Sequence, residues 1–219
     1  MCDCKTSEFF ACKDLSDQIV PLDVKDIPHG RATYSHNKTV GACVMINMIG
    51  WYHYDNCDIM LWHTSDLDTE NKAVRIHHER HIVSIALSGD GKYLFVCDAV
   101  RLLTKYSIGD LCDIKAVSSF LPNEKFFLWP MLPTSDGKYI AGGPHKGTMD
   151  DFNVYVYNTE DWCLHKTFSL LTTEVRRLRY TDSCDMVYSS DFNNNAYEWR
   201  IADGECSACK VECVDRIGE

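Results

Sequence analysis

The sequence holds no run of 18 apolar residues, so no segment has the length and hydropathy of a membrane-spanning helix. It also has no run of 12 or more residues with helical periodicity, which removes architectures that alternate strand and helix. Basic clusters are missing. Lys plus Arg is 22 against Asp plus Glu at 32, a net charge of −10, and nucleic acid is therefore not an expected partner. The first residues, Met1-Cys2-Asp3-Cys4-Lys5, are polar and lack the apolar core of a secretory signal. A reducing compartment follows as the expectation, cytoplasmic or alternatively nuclear, with most thiols free. Catalytic signatures are missing too. There is no G-x-S-x-G, and His77-His78-Glu79-Arg80-His81 does not have the H-E-x-x-H order of zincins. Gly142-Gly143-Pro144-His145-Lys146-Gly147 fits neither G-x-x-x-x-G-K-[ST] nor G-x-G-x-x-G. No cofactor is expected.

What is present is β-prone sequence in short runs. The stretch Ile82 to Gly109 is the clearest. Apolar residues at Ile82, Ile85 and Leu87 lead into Ser88-Gly89-Asp90-Gly91-Lys92, and a second apolar run, Tyr93 to Cys97, follows at once. An Asp-Gly turn between two such runs is a hairpin signal: glycine takes a positive φ without penalty, and the aspartate bonds its own backbone. Val100 to Ile108 makes a third strand.

The same unit recurs. Thr134-Ser135-Asp136-Gly137-Lys138 matches Ser88 to Lys92, and Thr181 to Cys184 holds the turn position again. Asp90 to Asp136 is 46 residues and Asp136 to Ser183 is 47. The third strands end on Trp62, Tyr106, Tyr157 and Trp199, spaced 44, 51 and 42. A period near 45 with four short strands per unit is a propeller-blade signature. The remaining elements are weaker. Ser16 to Val24 reads as a short strand interrupted by Pro21, Asp55 to Asp58 as a turn before a strand at Ile59 to Trp62, and Gly142 to Asp151 as a long loop. Cys206 to Val214 reads as the last strand. Arg176 is expected on one face of its strand, with Arg177 and Arg179 on the other.

On these residues the chain resembles the WD-repeat β-propeller family. His78, the apolar Ile82, Ile85 and Leu87, and Asp90-Gly91 fit the family pattern in the second unit. Asp151 stands six residues before Tyr157 in the third, and Trp199 takes the tryptophan position in the fourth. The Trp-Asp pair itself is absent, with Trp62 followed by His63 and Trp199 by Arg200. Glu124 stands where the third unit would carry its histidine, and Asn56 and Asn193 stand at the turn-aspartate position. No unit holds the family's full His, Ser, Asp and Trp set, so rigidity is expected to rest on apolar packing. The resemblance implies an all-β, propeller-like fold of about four blades of four antiparallel strands. These blades are placed at 34–77, 78–121, 122–170 and 171–215, after a partly irregular segment at 1–33. Four units would form a four-bladed ring, a partial propeller completed by self-association, or part of a longer parent chain.

The implied function is a non-enzymatic scaffold that binds other proteins through inter-blade loops. Three loops are placed on one face by the resemblance: His77, His78, Glu79 and Arg80; Asn123, Glu124 and Lys125; and Thr172, Thr173 and Glu174. The Gly142–Asp151 loop would form a second patch. Two further readings stand beside this one. The first is a propeller enzyme, hydrolytic or redox, with a site on the axis. The second is a cysteine-bound metal protein using Cys206, Cys209 and Cys213 with the amino-terminal cysteines, among 12 in the chain. On a strand Cys206 and Cys209 diverge, which argues against shared ligation.

Overall fold

A computed structural model describes residues 9–12, 19–22, 32–35, 37, 39–49, 53–63, 73–108, 111, 113–122, 128–144, 151–169, 171–180, 186–193, 195–200 and 209–211. Among these residues the structure is all-β. A small hairpin, β1 (Phe9–Cys12) and β2 (Ile19–Leu22), precedes four sheets of four strands. The first sheet is β3 (Ala32–Tyr34), β4 (Val40–Ile49), β5 (His53–His63) and β6 (Ala73–His77). The second is β7 (Ile82–Leu87), β8 (Tyr93–Asp98), β9 (Leu103–Ser107) and β10 (Lys115–Phe120). The third is β11 (Leu128–Pro133), β12 (Tyr139–Pro144), β13 (Val154–Asn158) and β14 (Leu164–Phe168). The fourth is β15 (Val175–Tyr180), β16 (Met186–Asp191), β17 (Ala196–Arg200) and β18 (Cys209–Val211).

Each sheet is an antiparallel meander in chain order, and none closes on itself. Trp62, Tyr106, Tyr157 and Trp199 all fall on the third strand of their own sheets, as the spacing predicts. In the second and third sheets burial falls from the second strand to the fourth. β8 and β12 are buried over nearly their whole length, whereas β10 and β14 are mostly exposed. Sequence tracks this gradient: Leu94-Phe95-Val96-Cys97 is apolar throughout, while Lys115 to Ser119 and His165 to Thr167 are largely polar.

The turns that open the first three sheets share one hydrogen-bond design. In the second sheet Tyr93 N–H donates to Ser88 Oγ at 2.9 Å and Lys92 N–H to Asp90 Oδ1 at 3.0 Å. In the third, Tyr139 N–H donates to Thr134 Oγ1 at 3.0 Å and Lys138 N–H to Asp136 Oδ1 at 3.0 Å. Gly91 and Gly137 take the required positive φ, 73° and 67°. The first sheet has the same turn from different residues: Val40 N–H donates to Ser35 Oγ and Thr39 N–H to Asn37 Oδ1, both at 3.1 Å. Short hydroxyl and Asx side chains satisfy backbone donors that a tight turn would otherwise leave unpaired.

The first strands of the later sheets, β7, β11 and β15, each carry a bulge near the start. An extra residue after Ile82 and after Val175 explains an i, i+3 apolar spacing within a strand. Ile82 and Ile85 face one core, and Val175 and Leu178 face another, although regular alternation would send each pair to opposite sides. Arg176, at the bulge, and Arg177 and Arg179 beyond it are all exposed.

Three other expectations are corrected. Asp55 to Asp58 is not a turn but the middle of β5. The long apolar β4 offers it ladder partners, and a register shift between Met45 and Asn47 absorbs the mismatch. Gly142 to Pro144 extends β12 instead of opening a loop, because glycine there allows close sheet packing: a Cβ on Gly143 would meet the Cβ of Val175 at 2.8 Å. Residues 145–150 of that loop lie outside the described residues. Pro21 sits within β2, in a two-stranded hairpin, where a proline without an N–H is tolerated.

The chain divides into two compact units, Met1–Leu121 and Pro122–Glu219. In the first, β7 packs across β3, β4 and β5. Val40, Ala42, Ile59 and Leu61 meet Ile82, Leu87, Leu94 and Val96 in one core. In the second, β15 packs on β11 and β12. There Phe168 and Trp199 stack with ring centroids 4.3 Å apart, joining β14 to β17. Aromatic pairs of this kind add about 0.5–1.5 kcal/mol beyond the area they bury.

Candidate functional site

In the first unit the chain leaves β6 and enters β7 through His77-His78-Glu79-Arg80-His81. Two buried aspartates, one from each flanking sheet, hold this connection. Asp58 on β5 is 3% exposed, and it pairs with Arg75 and with His77, whose Nδ1 lies 2.9 Å from Asp58 Oδ1. Burial pushes the Asp58 carboxyl up, but hydrogen bonds and charge from Arg75 and His77 outweigh it, and its pKa falls below 3.8. The rest of the His77 side chain stands 69% exposed.

Asp98 ends β8 and is fully buried. Its Oδ1 accepts the backbone N–H groups of Val100 at 3.0 Å and Leu102 at 2.9 Å, which closes the turn between β8 and β9. Its Oδ2 faces the loop, with Arg80 at 3.4 Å and His78 Nε2 at 3.6 Å. His78 itself is buried, and its Nδ1 meets the Tyr106 hydroxyl at 2.9 Å. Burial lowers the His78 pKa below 6.5 against the opposing pull of Asp98. Burial, with the charges of Glu79 and Asp98, raises that of Tyr106. Consecutive residues therefore play opposite parts: His77 offers most of its side chain to solvent, and His78 is an internal brace.

A groove of about 510 Å³ opens beside this loop. His77, Glu79 and Arg80 line it from the loop, Thr104 and Tyr106 from β9, and Ala116 to Ser119 from β10. The β10 wall carries a bulge at Val117, whose side chain is exposed. The Ser118 hydroxyl is buried and meets no hydrogen-bond partner. The groove presents hydroxyls, an imidazole, a guanidinium and a carboxylate around short apolar side chains, a surface suited to a polar chain segment.

The Thr172-Thr173-Glu174 loop belongs to the second unit and is built in a parallel way. Asp191, ending β16, is fully buried. Its Oδ1 accepts the N–H groups of Asn193 at 3.0 Å and Asn195 at 2.8 Å, and its Oδ2 accepts the Thr172 hydroxyl at 3.1 Å. Burial raises the Asp191 carboxyl, yet these bonds outweigh it and leave the pKa below 3.8. Thr173 Oγ1 accepts the Phe192 N–H at 3.0 Å, and the Phe192 ring stands exposed beside Arg176. Glu174 is half-buried. Asn123, Glu124 and Lys125 lie outside the described residues.

Sequence reasoning missed the aspartates. The family pattern puts a turn aspartate six residues before the aromatic, where Asn193 stands, whereas the residue that holds the turn is Asp191, eight residues before Trp199. Asp98 stands eight before Tyr106 in the same way. That shared spacing was the available signal. The expectation of purely apolar rigidity is corrected accordingly: buried carboxylates, Asp58, Asp98 and Asp191, anchor the first, second and fourth sheets. Cys206 and Cys213 lie outside the described residues, and β18 runs through Cys209. Among the described residues no three His, Cys, Asp or Glu side chains are grouped to hold a metal ion, and no helix is long and apolar enough to cross a membrane. No protein-family model matches the chain, and a search of curated proteins finds no significant match.

Proposed function

We propose that this chain is a non-enzymatic scaffold of the WD-repeat type, with about four propeller-like blades that present inter-blade loops to partner proteins in the cytoplasm. The observation that carries the reading is the repeated clamp on the loop before a first strand. In two sheets a buried aspartate closes one turn and reaches across to that loop, Asp98 to Arg80 and Asp191 to Thr172. A fold that fixes short polar loops from beneath leaves their outer side chains free to vary for recognition. Four successive meanders, the first three opening through turns of one hydrogen-bond design, further support blades of one kind. The Ser189, Asp191 and Trp199 constellation fits the hydrogen-bonded set that the resemblance implies, with Thr172 in the loop position.

Among the loops, the His77–Arg80 connection is the preferred contact, since the groove adjoins it. Two of its side chains are held from the flanking strands, His77 by Asp58 and His78 by Tyr106. The test is affinity capture from native extract with His77, Glu79 and Arg80 changed together to Ala. Loss of captured proteins, with an unchanged circular dichroism spectrum, is expected. An identical set captured by the folded variant would remove this loop from the reading.

A further inference from the structure

The Asp98 carboxyl has two oxygens in different circumstances. Oδ1 is fixed by two backbone N–H groups of the following turn. That anchor stops the carboxyl from rotating and leaves Oδ2 aimed at the loop. Two side chains compete for it: Arg80 at 3.4 Å and His78 Nε2 at 3.6 Å. The other imidazole nitrogen, Nδ1, is engaged with the Tyr106 hydroxyl. The charged or titratable groups that face His78 are thus Asp98 from β8, Tyr106 from β9, and Glu79 and Arg80 from its own loop. His77 turns toward Asp58.

We propose that protonation of His78 switches the partner of Asp98, moving Arg80 from the buried carboxylate to the groove. With a neutral imidazole, Nδ1 accepts the Tyr106 O–H, and Oδ2 is left to Arg80. When a solvent proton is taken up at Nδ1, both ring nitrogens become N–H donors. Nδ1–H then donates to the Tyr106 oxygen, whose hydroxyl turns away, and Nε2–H closes on Oδ2. Two cations now face one oxygen. Both side chains line the groove, but His78 is only 7% exposed and is tied through Nδ1 to Tyr106, whereas the Arg80 side chain is 45% exposed. The guanidinium is therefore the group that leaves. The groove gains a free cation as pH falls, and its preference shifts toward acidic segments. Burial places this transition below the pH at which a solvated histidine titrates. The switch is a property of the isolated chain, independent of what the loop binds.

The experiment is side-chain NMR on the 15N-labelled protein between about pH 7.5 and about pH 5, following the His78 ring nitrogens and the Arg80 Nε–H together. The Arg80 signal is expected to move with the His78 midpoint, and that midpoint to lie below 6.5. In His78→Gln, which takes up no proton, the Arg80 signal should stay constant. Should that variant not fold, Arg80→Ala at the half-exposed position gives the reciprocal reading. Removing the competing cation must raise the His78 midpoint, because coupling between two sites is mutual. An Arg80 signal indifferent to His78, a midpoint unmoved in Arg80→Ala, or no His78 titration before unfolding would overturn the switch.

Discussion

Trp199 donates its indole N–H to the hydroxyl of Ser189 at 2.5 Å, from one buried strand to the next. Both residues are about 1% exposed or less. Removing either partner strands the other in a site without water. Ser189→Ala and Trp199→Phe should each cost about 1–3 kcal/mol from the orphaned group, the second more because the smaller ring also leaves a gap. The double variant should lose less than the sum. Urea unfolding of the four proteins in a cycle measures the coupling, and strict additivity would show that the bond contributes nothing.

Backbone conformation gives a pair of opposite predictions. Gly91 has φ 73°, and a Cβ there would sit 3.1 Å from Thr39 Oγ1 and Val40 Cγ2. Gly91→Ala should therefore destabilise by about 1–2 kcal/mol or more. Arg101 holds φ 72° with a side chain in place, in the turn that Asp98 closes. Arg101→Gly should raise the melting temperature, since relief of left-handed strain, about 1–2 kcal/mol, exceeds the added chain entropy of roughly 0.5–1 kcal/mol.

Close packing of β12 on β15 gives a third. Gly143→Ala would force its Cβ against Val175 and should cost about 1–3 kcal/mol. Val175→Ala in the same chain should recover part of that loss, because it removes both γ-methyls, Cγ2 among them, but not the β-carbon. Thermal unfolding of the single and double variants decides it.

Stability should fall with acid in two stages. The folded pKa of His78 is depressed, so its contribution is complete above 6.5 and is lost as pH drops through its lower folded value. Asp58 and Asp191 are likewise depressed, and theirs is complete above 3.8 and is lost below it. His78→Gln should abolish the first decline and Asp191→Asn reduce the second. Urea midpoints measured against pH test both.

Strand order, the hairpin turns and the aromatic ends were legible because each depends on local chemistry. Asp90-Gly91 and Asp136-Gly137 announce a turn in any context. Bulges were written in the i, i+3 spacings of Ile82 with Ile85 and Val175 with Leu178, but a period-two reading treats the extra residue as noise. The Ser35-x-Asn37 turn escaped notice for want of a glycine after Asn37. Asp98 and Asp191 were hidden for a different reason. An aspartate next to a turn ordinarily suggests solvent, and its burial depends on which loop the fold brings over it. The groove depends on how β9 and β10 stand beside a loop some 25 to 40 residues earlier, a tertiary relation no local pattern encodes.

Among the described strands, every ladder joins a strand to its immediate neighbour in the chain. No sheet waits for a distant segment to complete it. Loop closure is then short at every step, and formation of each meander carries little of the entropic delay that slows β proteins with long-range pairing. The sheets can assemble in the order in which the chain emerges, with the slow events reserved for laying one finished sheet on another.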